Sequence, residues 1–519
     1  MKLFYCLMIG ACFLAPGSLL AAGDLFYAST KDIRDINPHM YSGEMAAQNM
    51  VFEALVENTA EGVKPRLAES WTISDDGRVY TFKLRPDVEY SNGDRFNAQS
   101  AKKNIEAVID NRQRHAWLEL VNQIESVEAE DDRTLVLKLK APYYPALVEL
   151  GLTRPFRFIS ETCFKDGRTK DGVGCYHGTG PWVLKEHRKN QAAVFVPNEK
   201  HWGEKPKLDS VHWKVMPEHQ TMLLGMEKGD VHLIFGSDGD MVDMDSFQAL
   251  EKQGRYVTIL SDPVASRAIV LNTGRPGTDD RQVRRALSMA VDRESIVAGI
   301  MNSSESPAET LMAKNVPYCD VDLPVYAYDL KKAAELLDQA GWILPKNKSV
   351  REKDGRDLRL VFSYNANNAA EKTIAEFLQG EMKTVGVAVE LLGEEKQAFL
   401  DRQKTGEFNM QYSLSWGPPY DPQSYFSSFR IPSHADYQAQ SGLAEKGDID
   451  RMISTVLVTT DESERRELYA GVLKILADEC VYIPLSYSRT KAVHLPRLKG
   501  VGFMVSQYEI PFEKMYFED

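Results

Sequence analysis

The sequence predicts a mixed α/β protein of two lobes with a ligand cleft between them, and three observations carry that reading. Apolar residues alternate between period-two runs and stripes of helical spacing, without a short-period repeat. The 519 residues are enough for about three or four domains or subdomains at a prior of roughly 150 residues each. Two extended stretches, 260–269 and 482–489, bracket a C-terminal α/β unit of about domain size. A chain that leaves one body and later returns to it implies paired crossovers and a cleft between two lobes.

Taken in order, the chain opens on Met1-Lys2, a nearly unbroken apolar run over 3–14, a Pro16-Gly17 breaker and the small residues Ala21-Ala22-Gly23. That order of charge, apolar core and small-residue exit predicts a cleaved secretory signal over 1–22 and an exported mature protein. Ile9-Gly10-Ala11-Cys12 resembles a lipoprotein box, but the apolar run continues past Cys12, so a lipid anchor there ranks second. No later stretch approaches the ~20 apolar residues of a membrane span. Loss of Cys6 and Cys12 leaves Cys163, Cys175, Cys319 and Cys480, for which three pairings exist. Cys163 with Cys175, which flank a Gly/Lys/Asp-rich loop, is the preferred pair. Without a Cys-x-x-Cys there is no thiolate zinc site or thioredoxin-type motif.

A short strand is expected over 25–29 and a helix over 48–56. Alternating runs joined by Asp75-Asp76-Gly77 predict a hairpin over 71–84. A helix follows over 97–108. Leu135, Leu137 and Leu139 share one face of a strand over 134–139. Residues 214–234 read as strand, helix and short strand. Val283, Ala286, Leu287, Ala290 and Val291 form the stripe of a helix packed on a sheet. Leu330, Ala333, Ala334 and Leu337 repeat it, with Asp329 as N-cap and Gly341 as stop. A strand over 359–364 and a helix over 373–385 continue the alternation.

Lys plus Arg total 62 and Asp plus Glu 75, for a net charge of −13. That acidic balance gives no electrostatic reason to bind nucleic acid. The sequence also lacks a Gly-x-Ser-x-Gly elbow, a phosphate loop and a His-Glu-x-x-His helix, and Gly178-Thr179-Gly180 lacks the third glycine of a dinucleotide fingerprint. The 10 histidines are scattered, and on spacing alone His434, in Pro432-Ser433-His434-Ala435-Asp436, reads as an ordinary exposed residue. Two arginine clusters stand out: Asn111-Arg112-Gln113-Arg114-His115-Ala116-Trp117 and Arg154-Pro155-Phe156-Arg157-Phe158. Arginine forks pair with carboxylates and stack on rings, so such clusters mark either a local anion site or structural salt bridges. Trp416-Gly417-Pro418-Pro419-Tyr420-Asp421-Pro422 is a rigid aromatic loop of the kind that lines pockets or packs as a turn.

At these residues the chain resembles the extracytoplasmic solute-binding proteins of the peptide/nickel ABC-importer family (solute-binding protein family 5). The general marks are Leu67-Ala68-Glu69-Ser70-Trp71 followed by Asp76-Gly77, then Gly178-Thr179-Gly180-Pro181-Trp182, and Val283-Arg284-Arg285-Ala286-Leu287. Residues 111–120 (NRQRHAWLEL), 154–159 (RPFRFI), 202–206 (WGEKP) and 432–440 (PSHADYQAQ) resemble its nickel-binding members in particular. The resemblance implies a periplasmic-binding-protein fold of cluster C type: lobe I over 23–263 with an extra subdomain at about 61–176, lobe II over 264–487, and a return to lobe I over 488–519.

It further implies a binding protein rather than an enzyme, acting as a monomer that hands nickel to an inner-membrane ABC permease. No catalytic cofactor is implied. The cargo is Ni²⁺ already chelated by histidine or a similar small molecule. By the same resemblance His434 ligates the metal, Arg114 and Arg154 contact chelator carboxylates, and Tyr41, Met45, Trp117, Trp416 and Tyr420 line the pocket. Leu400 and Tyr508 depart from the nickel-binding pattern and are expected to reshape the pocket. Peptide-binding members carry an aspartate before the loop tyrosine, where this chain has Pro419. Peptides, haem or another metallophore remain the alternative cargo. A secreted hydrolase would need a nucleophile–base pair in the cleft.

Overall fold

The computed structural model describes residues 23–115, 117–237 and 241–518; the leader expected over 1–22, with Cys6 and Cys12, lies outside them. Three sheets organise the chain. The first runs, in spatial order, Trp182–Arg188, Ala192–Pro197, Ser210–Val215, Asp24–Ser29, Leu233–Ser237, Thr490–His494 and Val257–Leu260. Its Asp24–Ser29 strand is parallel to both neighbours, because the helix His219–Lys228 carries the chain over it from Ser210–Val215 to Leu233–Ser237. The second sheet runs Ser306–Pro307, Tyr482–Ser488, Ala265–Leu271, Met410–Leu414, Arg359–Asn365 and Ala388–Glu394. The third is antiparallel and four-stranded: Ala68–Ile73, Val79–Leu84, Thr134–Leu139 and Ile124–Ala129.

Local chemistry sets most element ends. The hairpin turns at Gly77, whose φ of +68° is open to glycine at no steric cost, while Asp76 accepts hydrogen bonds from Ser74 Oγ and the Arg78 amide. Asn97 caps Ala98–Asp110, Asp280 caps Arg281–Met289 and Asp329 caps Leu330–Gln339, each accepting from an amide in the first turn. Asn368 does the same for Ala369–Thr384, so that helix begins before the stripe expected at 373. Cys163 and Cys175 form a disulfide, and Cys319 and Cys480 are free, buried thiols. No helix among the described residues is long and apolar enough to cross a membrane.

Two expectations are corrected. The helix expected over 48–56 spans Met45–Val51, and the chain is extended from Phe52 onward. Tertiary pairing takes over there: Gly180 N donates to Val51 O at 2.9 Å, and Phe158 N to Glu53 O at 3.0 Å. The approach is close enough that a Cβ on Gly178 would lie 1.9 Å from the Val51 carbonyl oxygen. The stretches at 260–269 and 482–489 are chiefly central strands of the second sheet, with Ala265 paired to Ser488 and Ile269 to Ile483. Every residue of Ala265–Leu271 is buried, as in a central strand covered on both faces, and its one charge, Arg267, is paired with Glu305. The connections proper are residues 261–264 and Arg489. They run side by side, with Ser261 N bonded to Thr490 O and Val264 N to Ser488 O, each at 2.9 Å.

The two main sheets have separate apolar cores, whereas the third shares one. Phe82, Leu135 and Leu137 belong to a single buried cluster with Tyr425, Phe426, Ile453 and Leu473. Tyr144 N donates to Leu457 O at 3.1 Å across that contact, and the Tyr144 and Tyr469 hydroxyls bond to each other. Because Gly178 is fixed by backbone approach, Gly178→Ala is expected to cost about 1–3 kcal/mol in urea unfolding. Gly447→Ala, at a helical position with nothing within 4 Å of the added carbon, should cost nothing measurable.

Candidate functional site

Residues from six segments share the wall of one pocket of 300 Å³: Tyr41, Met45, Trp117, Arg154, Trp416, Tyr420, His434 and Tyr508. Met45 opens the helix Met45–Val51, and Tyr41 lies in the turn before it. Arg114 belongs to the 3-10 turn Arg112–His115 that ends the helical stretch begun by Ala98–Asp110, and Trp117 lies just beyond it. The aromatic loop leaves the strand Met410–Leu414, and His434 stands at the N-cap of Ala435–Gln440.

The loop is held from behind by Asp421. Its Oδ2 accepts from Ser415 Oγ at 2.6 Å and from Gly417 N at 2.9 Å, and burial pushes this carboxyl up to about 6. Gly417 has a φ of +74°, and a Cβ there would meet Val264 O at 2.6 Å, so the loop rests directly on one of the two connections between the main sheets. In front, the rings meet edge to face or tilted: Trp117–Trp416 at 6.0 Å, Trp416–His434 at 6.2 Å, Trp117–Tyr420 at 6.3 Å and Tyr420–Tyr508 at 6.5 Å.

Against this apolar wall the polar groups are few, and among the described residues Arg154 has no ionic partner there and the His434 ring no hydrogen bond. Arg154 Nη1 donates to Gly43 O at 3.0 Å, and its guanidinium lies 5.2 Å from the Tyr41 ring centre. Arg114 stacks on the same ring at 5.4 Å but is exposed and does not reach the pocket wall. Neither arginine forms an ion pair among the described residues; the nearby Glu44 is taken by Arg34. Burial lowers the affinity of Arg154 for its proton. The His434 ring makes no hydrogen bond among the described residues, and burial, partly opposed by Asp436, lowers its pKa below the usual 6.5. A neutral imidazole with a free lone pair can ligate a metal. Asp436 itself faces inward, accepting from the Tyr425 and Tyr482 hydroxyls at 2.9 Å each.

A larger cavity of 510 Å³ on the other side of Tyr420 is lined by charges that neutralise one another. Arg157 pairs there with Glu509 at 3.0 Å and Arg66 with Glu53 at 2.7 Å. Cys163, Cys175 and His177 bring potential metal-ligand atoms within 4.8 Å of one another, but both sulfurs are committed to the disulfide.

The structure thus gathers His434, Arg154, Tyr41, Met45, Trp117, Trp416 and Tyr420 into one wall, with Arg114 behind Tyr41. Tyr508 lines the pocket, whereas Leu400, on the helix Lys396–Thr405, is not among the lining residues. No serine, threonine or cysteine lies on this wall. Sequence reasoning overlooked the separate roles of His115 and Asp421. His115 is fully buried and bonded to the Tyr41 hydroxyl at 2.5 Å, and Asp421 supports the loop; each immediately follows a singled-out residue, the only signal that pointed to it.

Comparison with known proteins now adds to this geometry. The sequence profile described as "Bacterial extracellular solute-binding proteins, family 5 Middle" matches residues 62–437. The nickel-binding periplasmic protein of Escherichia coli (strain K12) is 44% identical over 486 residues, covering 93% of each chain. Heme-binding protein A of Haemophilus influenzae is 26% identical over 487 residues, covering 88% of this chain and 85% of that protein. The crystal structure of NikA from Brucella suis in complex with Fe(III)-EDTA superposes with a TM-score of 0.93 at 44% identity, covering 95% of this chain and 100% of that one. The mixed α/β architecture is therefore that of periplasmic solute-binding proteins.

The buried His115 makes the fold sensitive to acid. Burial, and then the Arg114 charge, push its pKa down to about 4, against 6.5 for a free imidazole. Between those values the unfolded chain takes up a proton that the folded chain refuses, so stability falls with falling pH, by up to about 1.4 kcal/mol per pH unit. Urea unfolding of His115→Phe across this window should show a correspondingly shallower pH dependence than the unsubstituted protein.

Proposed function

The chain belongs to family 5 of the bacterial extracellular solute-binding proteins, and on that premise we propose that it captures nickel as a chelate and delivers it to an ABC permease. The observation that carries the proposal is the pairing, on one pocket wall, of a single free imidazole, His434, with an arginine that has no carboxylate partner. One nitrogen does not fill the coordination sphere of Ni²⁺, so the remaining donors must arrive with the metal. The charge pattern points the same way. Arg154 and Arg114 repel a bare cation but attract the carboxylates of a chelator, which guanidinium forks bind in the bidentate manner. His434 then ligates the metal, Arg154 on the wall holds one chelator carboxylate, Arg114 turns in from the Tyr41 ring to take another, and the rings of Tyr41, Trp117, Trp416 and Tyr420, with Met45, exclude water around the chelate.

Two relatives support this cargo. The Escherichia coli relative is a nickel-binding protein by name, and the Brucella suis structure holds a metal bound by a carboxylate chelator. Pro419 lacks the charge that peptide-binding members use against the peptide ammonium group. We read the first sheet with the third as lobe I, 23–263 and 488–519, and the second sheet as lobe II, 264–487, closing on the chelate as a monomer. We place the protein in the periplasm, exported by the leader over 1–22, and its partner in the inner membrane.

Calorimetry with Ni²⁺ plus excess L-histidine is expected to give saturable binding, and Ni²⁺ alone to give little. Equal binding in the absence of histidine would overturn shared ligation. His434→Ala should lower affinity for the nickel–histidine complex at least about tenfold, the scale of losing a group that governs a metal site. Its thermal midpoint should change little, since the ring is bonded to nothing in the fold.

A further inference from the structure

We infer that the Tyr41 hydroxyl is a hydrogen-bond donor to the bound chelate, and that His115 is the positioning residue that turns its proton into the pocket. The inference rests on the nickel-chelate reading and adds a third polar contact to it, beside the two arginines.

A tyrosine hydroxyl has one proton to donate and two lone pairs to accept with. Trp117 Nε1, which can only donate, lies 2.9 Å from the Tyr41 oxygen and fills one lone pair. His115 Nδ1 lies 2.5 Å from the same oxygen. Which way that second bond runs depends on which ring nitrogen of His115 carries the proton.

The other ring nitrogen settles the matter. His115 is 0% exposed, and its Nε2 has no hydrogen-bond partner among the described residues. The ring is neutral at physiological pH, held so by burial and the neighbouring Arg114, and therefore has one N–H. A proton on Nε2 would be a donor buried with nothing to accept it. A proton on Nδ1 is used at once by Tyr41 and leaves only a bare lone pair at Nε2. Buried orphan N–H groups are rarer and costlier than under-satisfied acceptors, so the proton belongs on Nδ1.

Tyr41 then accepts from both Trp117 and His115, and its own proton has no acceptor among the described residues. The groups stacked on its ring are the guanidiniums of Arg114 and Arg154, which have no lone pair to offer. Burial raises the hydroxyl's own pKa, so the proton stays in place. Tyr41 lines the pocket, and that is the side on which an acceptor can arrive. A carboxylate oxygen of the chelate suits it, because the two arginines already favour negative charge beside the same ring.

The tautomer is read directly by long-range ¹⁵N–¹H correlation NMR on the full-length mature protein labelled at histidine, with His115 assigned by its disappearance in His115→Phe. Protonated Nδ1 is expected; a protonated Nε2 overturns the inference. Binding is read with two probes, Ni²⁺ with excess L-histidine and Fe(III)-EDTA. Tyr41→Phe keeps the ring on which the arginines stack and should weaken binding of both probes about tenfold to a hundredfold, the scale of one hydrogen bond to a charged group. His115→Phe should show a similar loss, His115→Asn should recover part of it by supplying an amide N–H, and Tyr41→Phe with His115→Phe should lose no more than Tyr41→Phe alone. Unchanged affinity of Tyr41→Phe, with the unsubstituted protein binding normally, overturns this inference and leaves the nickel-chelate reading intact. Failure of the unsubstituted protein to bind either probe overturns that reading, and this role for Tyr41 with it.

Discussion

Two guanidinium groups held on a tyrosine ring, with no carboxylate beside them, set the terms for the rest of this pocket. An arginine withdrawn from water, as Arg154 is in part and the exposed Arg114 is not, is ordinarily matched with an acid, and this protein does so repeatedly: buried Arg267 pairs with Glu305, Arg284 with Glu479 and Arg157 with Glu509. Of 75 acidic residues, none is paired with Arg114 or Arg154 among the described residues. The π face of Tyr41 and the Gly43 carbonyl supply what stabilisation there is, without consuming the positive charge. A cation-repelling field thereby surrounds a single metal-ready imidazole. That combination has no use for a free metal ion and suits one whose charge has been offset by carboxylates.

Such a field persists only if neighbouring acids are kept from swinging in. Asp436 sits two residues from His434 but is turned into the core by two tyrosine hydroxyls, and Asp421 follows Tyr420 but is spent on the backbone of its own loop. The cavity across Tyr420 holds Glu53 and Glu509, and each is anchored to an arginine of its own. Each of these four carboxylates thus has a fixed structural task.

Much of this fold was legible from local chemistry. Leu135, Leu137 and Leu139 announce a one-faced strand, Asp329 and Gly341 bracket a helix, and Asp75-Asp76-Gly77 marks a turn. What escaped was decided by partners distant in sequence. Residues 52–56 carry helical spacing, yet Phe158, Leu67 and Ala68 claim the carbonyls of Glu53, Ala54 and Leu55 for extended pairing. A stretch such as Ala265–Leu271, with Ser266 and Arg267 among its apolar residues, reads equally as a connection or a central strand until its neighbours are known. The pocket was legible only through family resemblance, because each contributing segment brings one or two residues. His434 has no periodic context, and His115 matters through a single atom that only the folded geometry brings to Tyr41.

The contact between Gly417 and the Val264 carbonyl ties this chemistry to mechanics. Val264 is part of the short connection by which the chain passes between the two main sheets, and no side chain lies between it and the aromatic loop to absorb movement. Any rotation of one sheet against the other about that connection re-aims Trp416 and Tyr420. On the proposed reading, in which Trp416 and Tyr420 hold the chelate, grip on the cargo and the angle between the sheets are a single coordinate measured at two places. By thermodynamic reciprocity, a surface that holds one angle alters cargo retention by the same factor with which cargo alters the preference for that surface.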